Sequence, residues 1–282
     1  MIKLGIFAKT FEGTEPVSVL NSVAAAGFTC AQYNMACSGL APMPEIITEA
    51  QASSVAEAAR ESGVEIVAVS GTFNMIHPDP AVREAGLRNL ATLAERSAGM
   101  STALITLCTG TRDPIDQWKA HADNNTPEAW RDLLEAMGTA IEIADRYDVD
   151  LGIEPELANV VNSAEKAHRL ITALKSPRIK IVLDPANLFE VATLDEQRSI
   201  VSSAIDLLAD RIVMAHAKDR NRDGSFATAG KGVLDYAHYL GRLKAIGFEG
   251  SLVTHGLSAS EAAGVAAFLK NSLDGHSAGA GR

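Results

Sequence analysis

The chain has 282 residues, of which 47% are hydrophobic and 21% are charged, the ordinary balance of a globular protein with a sizeable core. A formal net charge of −10, without a cluster of lysines and arginines, argues against a protein that binds nucleic acid. No apolar run approaches the roughly 18 residues of a membrane span. The apolar stretch at the beginning of the chain is too short and too soon interrupted for a secretory signal. We therefore expect neither a nucleic-acid nor a membrane partner.

The cysteines argue for a reducing compartment. Cys30, Cys37 and Cys108 are an odd, widely scattered set, and no C-x-x-C pair occurs among them. Such a set is typical of reduced thiols and not of a disulfide framework or a zinc ribbon. We predict a cytoplasmic protein.

Short β-rich runs alternate with longer amphipathic stretches along the whole chain. The stretches between the runs predict helices, several of which end in glycine, and a last helix is predicted over 259–273. The eight predicted strands are residues 3–8, 29–34, 65–70, 103–108, 150–154, 179–184, 211–216 and 250–255.

This alternation predicts the fold. Strictly alternating strands and helices give parallel strands with right-handed crossovers, and eight such units are the size of a closed barrel. We predict a single (β/α)8 TIM barrel over residues 1–271 and a disordered, small and polar tail over 272–282. A doubly wound open sheet is the alternative, but no G-x-G-x-x-G follows the first strand.

Four predicted strands end in residues of the types that bind metal ions. Glu154 ends the fifth strand, Asp184 the sixth, His216 the seventh and His255 the eighth. In a barrel of this kind the carboxyl ends of all strands meet at one rim. One such residue would be an ordinary capping carboxylate or core histidine, but four at matching positions predict a site for Mn²⁺, Mg²⁺, Co²⁺ or Zn²⁺.

The sequence around these residues resembles the sugar phosphate isomerase/epimerase family, the xylose isomerase-like TIM barrels. The resemblance lies in "SGTFNMIHPD" (70–79), "VLDPANLF" (182–189), "HAKD" (216–219) and "GKGVLDYAHYLGRLKAIGFEG" (230–250). The family includes ketose 3-epimerases, inosose dehydratases and, more distantly, enzymes of the endonuclease IV type. The resemblance implies a metal ion held by Glu154, Asp184 and His216, and a homo-oligomer, a dimer or a tetramer.

Two positions depart from the family pattern. His255 stands where relatives commonly have a glutamate that binds the metal and pairs with the strand-five glutamate in proton transfer. A histidine can bind metal and transfer a proton near neutral pH, or it can simply pack at the rim. Asn187 stands where epimerases often have a histidine; an amide can bind a substrate hydroxyl but cannot titrate. A symmetric two-glutamate mechanism is therefore not expected.

Two further residues are candidates for the site. Glu156 lies two residues after Glu154 and is either an acid/base or a loop carboxylate in solvent. Arg112, in the loop "TGTRDP" (109–114) after the fourth strand, could grip a phosphate or carboxylate of a substrate. Short loops rich in threonine and glycine are also common as plain turns.

The stretch 111–130 is longer than a usual loop between a strand and a helix and is rich in Trp, His and Asn. We interpret Trp118 and His121 as part of a lid or a substrate wall, with contact to a partner subunit as the alternative. His77 lies at the end of a similar loop after the third strand, and we predict that it lines the pocket.

Charged residues also follow His216 directly. The resemblance makes Lys218 a substrate contact, whereas Asp219 is expected to orient the loop. Arg220 and Arg222 could complete an anion site, but solvated loop cations are the ordinary interpretation.

Together these observations predict a divalent-metal-dependent isomerase or epimerase of a small sugar, sugar acid or cyclitol that acts through a metal-stabilised enediolate. Glu154 or Glu156 would be the base, with His255 as the second group. A dehydratase of the inosose type is a close alternative. An endonuclease IV-like hydrolase and a barrel that only binds a ligand are more distant ones. The predicted substrate contacts are His77, Arg112, Trp118, Asn187 and Lys218.

Overall fold

Eight parallel strands close into a barrel in the computed structural model, which describes residues 2–275. Strand β1 is hydrogen-bonded to both β2 and β10, so the sheet has no edge, and the open-sheet alternative is wrong. This confirms the predicted (β/α)8 barrel. The barrel strands are β1 (Lys3–Phe7), β2 (Cys30–Tyr33), β3 (Glu65–Ser70), β4 (Leu104–Cys108), β5 (Asp150–Glu154), β6 (Ile179–Leu183), β7 (Ile212–Ala217) and β10 (Ser251–Thr254).

A helix follows each barrel strand and covers the outside of the barrel. A small antiparallel pair, β8 (Asp219–Arg220) and β9 (Phe226–Ala227), lies in the loop after β7. The helices are α1 (Pro16–Ala25), α2 (Glu49–Ser62), α3 (Pro80–Ser97), α4 (Pro127–Tyr147), α5 (Ala164–Leu174), α6 (Leu194–Leu208), α7 (Tyr236–Ala245) and α8 (Ala262–Gly275).

Local sequence signals account for these helices, as α4 illustrates. Thr126 caps its beginning by accepting a hydrogen bond from the N–H of Ala129, and Pro127 occupies the first position, where a missing N–H costs nothing. Leu133 and Met137 are fully buried on the face that packs against the core.

The core has two parts. A large apolar layer lies between the strands and the helices, and a small cluster of four residues lies on β3, β6, β7 and β10. That cluster consists of Ala68, Val182, Met214 and Val253, which are at most 1% exposed. Because strand residues alternate between the two faces, residues two positions after Val182 and Met214 point to the same side. Those residues are Asp184 and His216.

The ends of the described region bear on two further predictions. Helix α8 continues through Gly275, so residues 272–275 of the predicted tail are helical, and 276–282 lie outside the described residues. Among residues 2–275, no helix combines the length and the apolar character that crossing a bilayer requires.

Candidate active site

The alternation of side chains along β5 determines where its glutamate points. Leu151 and Ile153 belong to the outer apolar layer, so Gly152 and Glu154 face the inside of the barrel. A Cβ at Gly152 would lie 2.9 Å from a methyl group of Val182, which explains a glycine at this point of the strand. The strand therefore delivers the Glu154 carboxylate to the upper end of the barrel interior.

The structure brings the four predicted metal ligands together. One ligand atom from each of Glu154, Asp184, His216 and His255 lies within 4.8 Å of the others. Asp184 is fully buried and His216 is 2% exposed, whereas Glu154 and His255 are partly exposed. Two carboxylates and two imidazoles from four neighbouring strands thus converge on one point.

Within this cluster the residues form two close pairs. Nδ1 of His216 lies 3.3 Å from Oε1 of Glu154, and Nε2 of His255 lies 3.2 Å from Oδ2 of Asp184. The other carboxylate oxygen of Asp184 accepts a hydrogen bond of 2.9 Å from the N–H of Ala186. This bond fixes the carboxylate and leaves Oδ2 directed at the cluster.

Gln32 of β2 holds His216 from the other side of its ring. Nε2 of His216 lies 3.0 Å from Oε1 of Gln32, and the Gln32 amide nitrogen donates to Oγ1 of Thr106 at 3.0 Å. Since the Gln32 oxygen can only accept, Nε2 carries a hydrogen, and Nδ1 is the nitrogen that either holds a second proton beside Glu154 or offers a lone pair to a metal ion. An imidazole held in this way is the usual arrangement of a metal-binding histidine.

The donor set fits a divalent cation. A lone pair on Nδ1 of His216 and the carboxylate of Glu154 repel one another at 3.3 Å unless a positive charge lies between or beside them. Either a proton or a metal ion removes that repulsion. Two nitrogen and two oxygen donors are a ligand set that suits Zn²⁺, Co²⁺ or Mn²⁺.

The charges of the cluster shift its pKa values in opposite directions. Burial lowers the pKa of His216, but the charge and hydrogen bond of Glu154 outweigh burial and raise it above the ordinary value. Burial raises the pKa of Glu154, but His216 outweighs it and leaves the pKa low. For His255, burial and the neighbouring His216 charge lower the pKa. In the absence of a metal ion, His216 therefore binds the proton and His255 is neutral.

Glu156 differs from these ligands. Burial, and next the charge of Glu154, raises the pKa of Glu156 to about 7, although Lys218 opposes the shift. Its Oε2 is 3.7 Å from Sγ of Cys108, a thiol whose pKa is raised well above the ordinary value by burial. A carboxyl group with a pKa near neutrality can both accept and return a proton. The alternative of a loop carboxylate free in solvent is wrong, since the side chain lines the cavity.

A cavity of about 480 Å³ opens above the cluster, within the roughly 300–1,000 Å³ that is usual for small-ligand sites. It is lined by seven of the residues that we predicted from sequence and by others that we did not predict. The predicted residues that line it are Trp118, Glu154, Glu156, Asn187, His216, Lys218 and His255.

Asn187 and Trp118 form parts of the cavity wall. The Asn187 side-chain nitrogen donates to Oε1 of Glu154 at 2.8 Å, which holds that carboxylate in place. The Asn187 side chain is nearly fully buried, yet its Oδ1 has no hydrogen-bond partner within residues 2–275. The indole of Trp118, half-exposed on the loop after β4, covers another part of the wall beside Gln117.

A family model described as the xylose isomerase-like TIM barrel matches residues 20–271 of the sequence. The chain belongs to this family. A comparison with curated proteins found no match.

Solved structures of similar fold include several sugar epimerases. The 3-keto-D-glucoside 4-epimerase from E. coli has a TM-score of 0.76 and 15% identity over 96% of this chain and 100% of that one. The D-psicose 3-epimerase from Clostridium cellulolyticum H10 has a TM-score of 0.74 and 18% identity over 96% and 99%. The IOLI protein with a bound zinc atom has a TM-score of 0.72 and 16% identity over 97% and 99%. At these identities the likeness shows a common fold.

Two predicted substrate contacts of this xylose isomerase-like barrel do not line the cavity. The Arg112 guanidinium donates to the carbonyl of Ile76 at 2.9 Å and to Asp132 at 2.8 Å. A ring nitrogen of His77 lies 3.1 Å from the carbonyl oxygen of Pro114, and the residue borders a separate surface groove. Both residues hold the loop after β4, so neither is carried into the function proposed below.

The loop "TGTRDP" (109–114) is a turn held by hydrogen bonds to neighbouring side chains. Gly110 has φ of +79°, and its N–H donates to the side chain of Asn159 at 2.6 Å. The N–H of Thr111 donates to the side chain of Asn74 at 3.0 Å. His121 is partly exposed, caps a short helical turn and is not part of the cavity wall. The interpretation of 109–114 as a plain turn agrees with these contacts.

The loop after β7 is organised by buried charges. Asp219 accepts hydrogen bonds from the N–H groups of Gly230, Gly232 and Leu234, which agrees with its expected role in orienting the loop. Arg220 is 6% exposed and donates to backbone carbonyls, so the expectation that it is a solvated cation is wrong. Its buried guanidinium fastens the hairpin of β8 and β9 to the barrel.

Several cavity residues were missed from sequence. They are polar residues at inward positions of barrel strands, and residues at the mouth that the loops bring in. A signal for the first kind was present, because Gln32 and Thr106 interrupt otherwise apolar strands at the positions that face inward. The missed residues of both kinds are Lys9, Gln32, Asn34, Ser70, Thr72, Thr106, Cys108, Gln117 and Phe226.

Proposed function

We propose that this protein is a divalent-metal-dependent isomerase or epimerase of a small sugar, sugar acid or cyclitol. The observation that carries the proposal is the convergence of Glu154, Asp184, His216 and His255 on one point of a cavity that also exposes Glu156. The sugar epimerases among the proteins of similar fold support the same class of reaction.

The four converging residues would hold the metal ion. When bound, a divalent cation supplies Lewis-acid chemistry, which lowers the pKa of a C–H bond next to a carbonyl group. Gln32 and Asn187 keep His216 and Glu154 in position through their hydrogen bonds. Ligands held before binding lose little freedom when the ion arrives.

Glu156 is the residue that moves the proton. Burial raises its pKa, to about 7 in the metal-free protein, and a carboxyl group of this kind can take a proton from the substrate and return it. Oε1 of Glu154 accepts a hydrogen bond from Asn187 and lies beside His216. Because the pKa of Glu154 is low, this carboxylate is suited to bind metal and not to act as the base. Return of the proton by Glu156 to the neighbouring carbon gives an isomer, whereas an epimer needs a second proton donor on the opposite face, the role predicted for His255.

Other residues of the wall would bind the substrate. The unpartnered Oδ1 of Asn187 can accept a hydrogen bond from a substrate hydroxyl. The Lys218 ammonium group and the Trp118 ring also face the cavity and would contact the substrate. A cytoplasmic location and a dimeric or tetrameric assembly stay predictions, as does the absence of nucleic-acid and membrane partners.

Deuterium uptake from heavy water tests the proposal. The Mn²⁺-loaded protein is incubated with ketoses, keto acids and inositol ketones, and exchange is followed by NMR. We expect exchange at one carbon of at least one compound. Glu156→Gln should reduce the exchange rate by about 100-fold or more while leaving the metal content unchanged, since general acid–base groups contribute about 10²–10⁴-fold. Asp184→Asn should reduce both the exchange rate and the metal content.

The control is Glu12→Gln, which removes an exposed carboxylate that is not part of the cavity wall. Loss of a hydroxyl group from the substrate, together with exchange, would identify a dehydratase. Metal binding without exchange on any compound would contradict the proposal and favour a barrel that only binds a ligand. Exchange that survives Asp184→Asn with the metal content intact would place the site elsewhere.

A further inference from the structure

Two lysine ammonium groups line the cavity without a carboxylate partner. Lys218 follows β7 and is half-buried, whereas Lys9 follows β1 and is exposed at the mouth. Within residues 2–275, neither forms an ion pair with a carboxylate. Lysines elsewhere in the chain do form such pairs, as Lys3 does with Glu65. The cavity therefore has positive charge that the neighbouring side chains do not pair directly.

Lys218 is held in its place by the loop that carries it. Its ammonium group lies 3.2 Å from the centre of the Phe226 ring. The Arg220 guanidinium lies 4.2 Å from the same ring and donates to the carbonyl of Ala186 at 2.5 Å. A cation that rests on an aromatic ring is stabilised without being neutralised. The ammonium group is thus positioned and remains available to an anion.

The charges of the side chains around the cavity indicate the sign of the charge that a bound substrate should carry. Glu154 and Asp184 carry two negative charges, which a divalent cation balances when it is bound. Glu156 contributes at most one more negative charge, whereas Lys9 and Lys218 contribute two positive ones. At least one positive charge is left over. A cavity of this kind attracts an anion, and the attraction is strongest where the walls exclude water.

We propose that the substrate carries an anionic group, a carboxylate or a phosphate, which Lys218 binds and which Lys9 attracts at the mouth. This inference rests on the proposed function and narrows it, since neutral ketoses and cyclitols become poor substrates. The anionic group lies on the side of the cavity formed by the loop after β7. The reacting carbon lies nearer the four converging residues and Glu156.

Three six-carbon compounds with a keto group test the inference: the ketose D-fructose, the keto acid 5-keto-D-gluconate and the sugar phosphate D-fructose 6-phosphate. Binding to the Mn²⁺-loaded protein is measured by titration calorimetry, and deuterium exchange by NMR. We expect at least one of the two anions to bind about tenfold or more tightly than fructose, and its affinity to fall with added salt. Tighter binding of the keto acid would identify a carboxylate, and tighter binding of the phosphate a sugar phosphate.

The variants separate an anion site from a general effect on the fold. Lys218→Met should remove most of the preference for the anion over fructose, and Lys218→Arg should restore that preference. Lys9→Met should weaken anion binding less, because its group is exposed. Lys270→Met is the matched control: it removes an exposed lysine of α8 that is not part of the cavity wall.

The failures of the two proposals differ. Exchange on a neutral ketose or inositol ketone, without a preference for either anion, overturns the inference and leaves the proposed function standing. An anion preference that survives Lys218→Met also overturns it. Absence of exchange on every compound contradicts the proposed function and this inference together.

Discussion

The Nε2 atom of His216 lies 3.0 Å from the side-chain oxygen of Gln32, although the two residues are 184 positions apart in the chain. The Gln32 amide nitrogen is held in turn by Oγ1 of Thr106, so the direction of the amide is fixed. Nδ1 of His216 is thereby left to face Glu154. This relationship decides which ring nitrogen is available to a metal ion.

Gln32→Leu removes that hydrogen bond and should weaken metal binding by about 10–100-fold, the usual cost of losing a partner that orients a ligand. Titration with Co²⁺, followed by its visible absorption, measures both the affinity and the coordination geometry. Gln32→Glu retains an acceptor and should keep most of the affinity. Gln117→Leu, which changes another glutamine of the cavity wall, is the control. Unchanged Co²⁺ affinity and spectrum in Gln32→Leu would show that Gln32 does not orient His216.

Metal affinity should depend on pH through His216. Since its pKa is raised in the metal-free protein, His216 keeps its proton at pH values above the ordinary imidazole value of about 6.5. A metal ion must displace this proton, whereas the low pKa values of Glu154, Asp184 and His255 leave those ligands already unprotonated. Affinity should therefore rise with pH through the raised pKa of His216 and level off above it.

Calorimetric titrations in two buffers of different ionisation enthalpy measure this proton. We expect protons to be released when Mn²⁺ binds at neutral pH, and fewer as the pH increases. In His216→Asn the release should disappear together with most of the affinity. Binding that is independent of pH between about 6 and 8 would contradict the assignment, because His216 would then not be the residue that loses a proton.

Arg112 should matter for stability and not for substrate binding. Oδ2 of Asp132 lies 2.8 Å from Arg112 and 3.2 Å from Arg83, and all three side chains are at most 17% exposed. Asp132→Asn leaves two largely buried cations without a counter-charge and should lower the free energy of unfolding by about 1–3 kcal/mol. Urea denaturation measures this loss.

Asp145→Asn is the matched control for this change, since Asp145 pairs with Arg178 at a side chain that is 59% exposed. An exposed pair should contribute less than about 1 kcal/mol. The Arg112→Met variant should resemble Asp132→Asn in stability and should keep its affinity for substrate at temperatures where it is folded. A stable Arg112→Met variant that no longer binds substrate would restore Arg112 as a substrate contact.

The sequence by itself determined the fold and the positions of the four converging residues. Alternating strands and helices allow only parallel strands, and the carboxyl ends of parallel strands in a closed barrel meet at one rim. Glu154 ends its strand, Asp184 and His255 follow theirs directly, and His216 stands next to the end of its own, so closure brings them together. The convergence of these four residues therefore follows from the alternation of strands and helices and from their positions at the strand ends.

Only the tertiary structure decided which other side chains share the cavity. Arg112 and Lys218 both lie in loops at the rim, yet Arg112 turns to Asp132 of α4, whereas Lys218 rests on Phe226 above the cavity. Gln32 meets His216 because barrel closure brings β2 within three strands of β7, so that their inward side chains meet across the barrel interior. These pairings depend on distances between elements far apart in the chain, and the local periodicity of a sequence carries no information about them.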